Sequence, residues 1–220
     1  MKIKFLLFVC AAFMFTSCSD AIDDALNDAI DSIVSYGDAT ANVDGASKDF
    51  SNYAGFRTSD NITSIYFTDI SFSVTNPDVK GDAILAFIHS DLVSTSQDID
   101  ISLSNAASLA LNPKMALIGA LYLENVNASD IADLITEYNK NQDLIAVAAL
   151  AEQKDVNLHR TTLADIVGNV DANGYIRFNF SNVSDDKLSG TFSFKAYGED
   201  NNKEITEGSF TDTPKDLTDL

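Results

Sequence analysis

Ala83-Ile-Leu-Ala-Phe-Ile-His-Ser-Asp-Leu-Val93 is apolar at almost every position. A strand with one wet face alternates in polarity, whereas a run this continuous reads as a strand buried on both faces. Upstream, Ile62-Thr-Ser-Ile-Tyr-Phe-Thr-Asp-Ile-Ser-Phe-Ser-Val74 does alternate, in two registers: Ile65 and Phe67, then Ile70, Phe72 and Val74. The change of register near Thr68 and Asp69 predicts a bulge.

Period-two patterning extends outward from these two stretches. Ala39-Thr-Ala-Asn-Val43 runs into Asp44-Gly45, a favoured hairpin dipeptide. Ile99, Ile101 and Leu103 alternate, as do Tyr175 to Phe180 and Leu188 to Tyr197, the last with Phe192 and Phe194 on one face. Lys203 to Phe210 supplies a closing strand. The middle of the chain differs. Ile131, Leu134, Ile135 and Tyr138 form a helical stripe, with Ser129 or Asp130 as the expected cap. Thr162-Leu-Ala-Asp165 opens a short helix in capping-box style, whereas Met115 to Leu123 and Leu144 to Leu150 fit either element. The expectation is a mainly β (α+β) fold: an antiparallel β-sandwich or partly open barrel, with a helical insertion at about 105–168 and an N-terminal amphipathic helix. A small separate helical domain is the alternative for 105–168, although no Pro-, Gly- or Ser-rich linker sets it apart.

The N-terminus has a different logic. Lys2 and Lys4 precede an eleven-residue apolar run, Phe5 to Phe15. That is the length of a signal-peptide core, well short of the roughly 20 residues a membrane span needs. Phe15-Thr-Ser-Cys18 follows and resembles a bacterial lipobox, with Phe where Leu is usual. The resemblance implies cleavage after residue 17 and lipidation of Cys18 with acyl chains such as palmitate. Cys18 would then be the only cysteine of the mature chain, and acylation removes the problem of a lone thiol in an oxidising compartment. More than one acyl chain gives stable anchoring. Residues 18–38 form an acidic tether, in which Ile22, Ala25, Leu26, Ala29, Ile30, Ile33 and Val34 recur at helical spacing. Residues 39–213 make one β-rich domain, and 214–220 a frayed tail.

Charge narrows the partners. The chain carries 33 acidic and 14 basic residues, a net −19 that becomes −21 without Lys2 and Lys4. Such a field repels nucleic acid and anionic lipid headgroups. Most of the acids are Asp, which favours turns and caps over helix interiors.

The C-terminal third carries a second resemblance. Leu188-Ser-Gly-Thr-Phe-Ser-Phe-Lys-Ala196 and Ile205-Thr-Glu-Gly-Ser-Phe210, with Asn42-Val-Asp-Gly45 near the start, resemble a broad group of uncharacterised Bacteroidota outer-membrane lipoproteins. Ser19-Asp20 with Asp23-Asp24 is similar to their acidic surface-export signal. The resemblance implies an outer-membrane location, with cell-surface exposure, and carries over no activity or catalytic residue.

Chemistry-bearing residues are sparse. His89 lies in an apolar strand and reads as a satisfied strand residue; His159, beside Arg160 near an expected turn, reads as a polar surface residue. Their spacing fits no zinc motif. Asp171-Ala-Asn173-Gly174 and Asn139-Lys-Asn141-Gln-Asp143 echo the opening of a calcium loop without its closing Glu, so a turn or helix end is the better reading. Tyr53, Phe56, Tyr66 and Tyr122 are candidates for a glycan or peptide surface, or for a sheet core. No nucleotide-binding glycine pattern occurs and no cofactor is expected. The leading expectation is a non-catalytic binding or structural module held at the membrane by its lipid, with an envelope protein or glycan as partner. An envelope hydrolase using carboxylates or a Ser/His pair, and a small apolar-ligand carrier, stand beside it.

Overall fold

In the computed structural model, residues 37–70, 79–96, 98–109, 111–169 and 173–216 are described. Cys18, the expected tether helix, Phe72, Val74, Asp171 and residues 217–220 lie outside them.

Alternation sets the strands, and Asp and Asn set the turns. β1 (Asp38–Val43) turns through Asp44 and Gly45, both at positive φ (51° and 82°), into β2 (Ala46–Asp49). This is the geometry a two-residue hairpin needs, and the expected turn is there. Asp60 and Asn61 repeat it between β3 (Tyr53–Ser59) and β4 (Ile62–Thr68). β5 (Gly81–His89) carries the apolar run and ends in a 3-10 turn at Ser90–Leu92. β6 (Ile99–Ser102) is followed by the one-turn helices α1 (Ala106–Leu109) and α2 (Pro113–Ala116), and then by β7 (Gly119–Val126). α3 (Ala128–Asn141) and α4 (Leu144–Gln153) form a helical hairpin that leads into β8 (Asn157–Thr162) and α5 (Leu163–Gly168). The chain finishes with β9 (Tyr175–Val183), β10 (Lys187–Tyr197) and β11 (Asn202–Pro214).

All eleven strands join one antiparallel sheet, in the order β2-β1-β11-β10-β8-β7-β5-β4-β3, with β9 against β10 and β6 against β9. The sheet curls into a partly open barrel, which decides against two separate sheets. Phe67 of β4 lies 5.3 Å, nearly parallel, from Phe192 of β10, and Phe67 also meets Phe210 of β11. These strands are far apart in the sheet order, so only curvature brings their rings together. The seam runs between β3 and the end of β11. Phe56 forms a parallel bridge with Lys215, and the Asp216 N–H donates to the Phe56 carbonyl at 2.8 Å. Asp216 also accepts from the Tyr66 hydroxyl at 2.9 Å. Of the tail expected to fray, Pro214 ends β11, and Lys215 and Asp216 fasten the seam.

The core has two layers. Inside the curl lie Phe50, Phe67, Phe178, Phe192, Phe194 and Phe210 with the inward residues of β5, namely Ile84, Ala86 and Ile88. Outside β4, β5 and β7, the α3 stripe of Ile131, Leu134, Ile135 and Tyr138 covers Ala83, Leu85 and Phe87. The Tyr138 ring stacks on Phe87 at 3.9 Å. β5 is therefore buried on both faces, as its composition predicts. Each large side chain enclosed in this way contributes about 1.5–3 kcal/mol over its exposed state.

Two local expectations are corrected. The α3 cap is Asn127, in a capping box with Asp130: the Asn127 carboxamide accepts from the Asp130 N–H at 2.9 Å, and the Asp130 carboxylate accepts from the Asn127 N–H at 3.2 Å. Residues 105–168 are not only helical: β7 and β8 sit in the middle of the sheet. The α3–α4 hairpin is the connection between these neighbouring strands.

Candidate functional site

The two ends of the β7–β8 pair differ sharply in chemistry. At the end where β7 begins and β8 stops, helices close the barrel. Ala116 to Ile118, the C-terminus of α3, the N-terminus of α4 and α5 surround an open groove of about 480 Å³. Its walls are mostly apolar: Leu117, Tyr138, Leu144, Ile145, Leu163 and Val167. The groove exists because α4 is apolar on all sides, so only Leu144, Val147 and Ala151 can turn inward while Ile145 faces out at 68 % exposure. Val167 of α5 is 49 % exposed.

Leu111 at 86 % and Leu103 at 40 % stand nearby in the fold. Leu111 lies between α1 and α2, and Leu103 directly follows β6; all three of these elements pack on α5. Polar groups hold the groove in shape. The Tyr138 hydroxyl donates to the Leu117 carbonyl at 2.8 Å, and burial, with the nearby Asp143 charge, pushes this phenol up to about 12. Arg160 reaches Asp165 at 3.5 Å across its floor, and Asp143 caps α4 through the Ile145 N–H.

The opposite end is a network of charges. Tyr122, fully buried, donates its hydroxyl to Asp82 at 2.5 Å and accepts from Lys48 at 3.0 Å, while Lys48 pairs with Asp82. Lys203 bridges Glu124 at 2.9 Å and Asp44 at 3.6 Å. Burial first, then the bond to Asp82, holds the Tyr122 phenol far above its ordinary value. The Lys203 ammonium is held up chiefly by Glu124. Burial raises the Asp69 carboxyl, which accepts from the Asp82 N–H at 2.6 Å. Each cation here meets a carboxylate, and the network ties the β1–β2 turn to β5, β7 and β11. Its chemistry is that of a clamp.

The histidines lie at opposite ends. His89, half-buried at the end of β5, accepts from the Asp91 N–H at 3.2 Å, as a satisfied strand residue would. His159 is corrected from a surface residue at a turn to a buried residue of β8, opposite Tyr122, with Nε2 3.5 Å from Glu124 and Nδ1 buried without a partner. The four aromatic candidates do not converge. Phe56 and Tyr122 face the barrel interior, Tyr66 lies in the outer layer, and only Tyr53, stacked on Tyr66 at 5.3 Å, keeps partial exposure. Asn173 occupies a turn at φ 49°. Asn141 ends α3 and Asp143 caps α4. Among the described residues no group of three or more His, Cys, Asp or Glu is placed to hold a metal ion, and no helix is long and apolar enough to cross a membrane.

The apolar groove escaped the sequence pattern. Its one signal is the Leu144–Leu150 run, too uniformly apolar for a helix with a solvent face. Compared with known protein families, with curated proteins and with solved structures, the chain matches none of them.

Proposed function

We propose that this protein is a lipid-anchored, non-catalytic binding module of the bacterial envelope, and that it engages a protein partner through the helix-capped end of its barrel. One observation carries the reading. Of the five large apolar side chains exposed among the described residues, Leu103, Leu111, Ile145 and Val167 belong to this end. Ile145 and Val167 line the groove itself, and an apolar groove on an otherwise polar surface marks an interaction site. The occupant that fits is an apolar side chain or short helix flanked by basic residues, because the groove rim carries Asp143 and the whole chain is strongly acidic. Anchoring rests on the lipobox-like Phe15-Thr-Ser-Cys18. The carrier alternative gains no support from the interior, where Phe67, Phe178, Phe192 and Phe210 occupy the space a ligand would need.

The test joins labelling with crosslinking in the native membrane. Cys18→Ser should abolish incorporation of radiolabelled palmitate; retained label would remove the anchor. A photo-crosslinking residue at position 167 should capture one defined, basic envelope protein, and Ile145→Asp should abolish the capture without lowering thermal stability. Equal capture by the Ile145→Asp chain would remove the groove from the function.

A further inference from the structure

We infer that His159 is the titrating member of an acid-strengthened latch: on taking up a second proton, its ring donates to Glu124 and to the Asn201 carbonyl at once, fastening the β10–β11 turn to β7 and β8. The latch stands at the polar end of the barrel and does not depend on the apolar groove.

Both ring nitrogens are set toward oxygen acceptors. Nε2 lies 3.5 Å from Glu124 Oε2. Nδ1 is buried without a partner and rests against Gly198, where a Cβ would collide with it and stand 2.8 Å from the Asn201 carbonyl oxygen. That oxygen already accepts from the Gly198 N–H at 3.0 Å, and its second lone pair is left for another donor. A neutral imidazole carries one N–H, so either tautomer turns a bare nitrogen toward an acceptor. Only imidazolium brings a donor to each. His159 is 6 % exposed, so the fold itself has to supply the partners.

The charges around the ring accommodate a further cation. β7 contributes Glu124 and Tyr122, whose ring centroid lies 6.0 Å from that of His159; β11 contributes Lys203, and the β1–β2 turn contributes Asp44. Behind Tyr122 stand Lys48 and Asp82, with Asp69 bonded to the Asp82 N–H. Glu199 and Asp200, in the β10–β11 turn, are exposed. Glu124 meets Lys203 through Oε1 and His159 through Oε2, one oxygen for each. In this cluster the carboxylates of Glu124, Asp44, Asp82 and Asp69 face only the ammoniums of Lys203 and Lys48, and imidazolium moves it toward balance. Burial opposes a charge here, and bonds from both nitrogens, one of them to a carboxylate, offset that cost. The unfolded chain offers neither bond, so the folded chain holds this proton more firmly. The added stability is complete on the acid side of the imidazole titration and is lost as pH rises through it.

The experiment unfolds the full chain in urea, in detergent, from about pH 8 to about pH 5, beside His159→Gln, which stays polar but takes up no proton in that range. Relative to the variant, the wild-type unfolding constant should fall by about tenfold or more on acidification. In a Glu124→Gln background the same comparison should depend much less on pH. Nitrogen-15 spectra of the wild-type imidazoles, with His89→Gln to assign the two histidines, should show His159 of the folded chain protonated on both nitrogens at the acid end. The inference is overturned if wild type and His159→Gln keep a constant difference across the range, if the dependence is as steep without the Glu124 carboxylate, or if folded His159 stays singly protonated at the acid end.

Discussion

Curling of the sheet can be tested by asking whether Phe67 and Phe192 feel each other. They sit on β4 and β10, with β5, β7 and β8 between them in the sheet, so a flat sheet would hold them far apart. In the curled sheet their rings stack at 5.3 Å and 8°. Phe→Leu at either position keeps the site apolar and should cost about 1–2 kcal/mol, below the roughly 3–5 kcal/mol of truncation to Ala. An aromatic pair contributes about 0.5–1.5 kcal/mol beyond its buried area. The double variant should therefore be less destabilised than the sum of the singles by about that amount. Equilibrium urea unfolding of the four proteins measures the coupling. Additivity to within about 0.3 kcal/mol, the behaviour of independent sites, would refute the curl.

Three further outcomes follow from the packing. Gly190→Ala would press a methyl group into the Asn179 carbonyl and the Phe210 ring, and should cost about 1–3 kcal/mol; Gly119→Ala should cost less, because the atom it meets is the end of the Leu144 side chain, and thermal melts would rank the two. Tyr66→Phe removes the donor to Asp216 and should destabilise by about 1–2 kcal/mol in chemical denaturation, with the Asp216→Ala variant far less sensitive to the same change. Asp69 carries a folded-state pKa raised by burial, so its ionised form opposes folding in full above the raised value, and this penalty fades as pH falls from there toward the ordinary value of 3.8, below which it is gone. Asp69→Asn should accordingly stabilise the protein at pH 7 and lose that advantage on acidification through this range; an advantage equal at both ends of the titration would contradict the sign.

The strands that alternate apolar and polar residues were legible from sequence because their inward positions are apolar: Phe192, Phe194, Ile176 and Phe178 face the interior, and their outward neighbours are polar. β8 hid for the opposite reason. In Asn157-Leu-His-Arg-Thr-Thr162 the enclosed positions are His159 and Thr161, so its buried face is polar and the pattern reads as a loop. The α3 stripe was visible, yet its cap was displaced because Asn127, Ser129 and Asp130 can all cap and only the fold chooses. The apolar groove depends on which side of α4, apolar from Leu144 to Ala151, meets the sheet, and a one-dimensional spacing does not contain that relation.

The seam at Phe56 and Lys215 also bears on the order of folding events. β1 pairs with β11, and the bridge that fastens β3 uses residues at the very end of the described chain. Hairpins such as β3–β4 can form locally, but ring closure must wait until Lys215 and Asp216 have been synthesised, and the contacts that complete it join residues far apart in sequence. Non-local closure of this kind is slow. A nascent chain that stops short of Lys215 would stay open, and the refolding rate should respond more to changes at Lys215 than to changes in the helical cap.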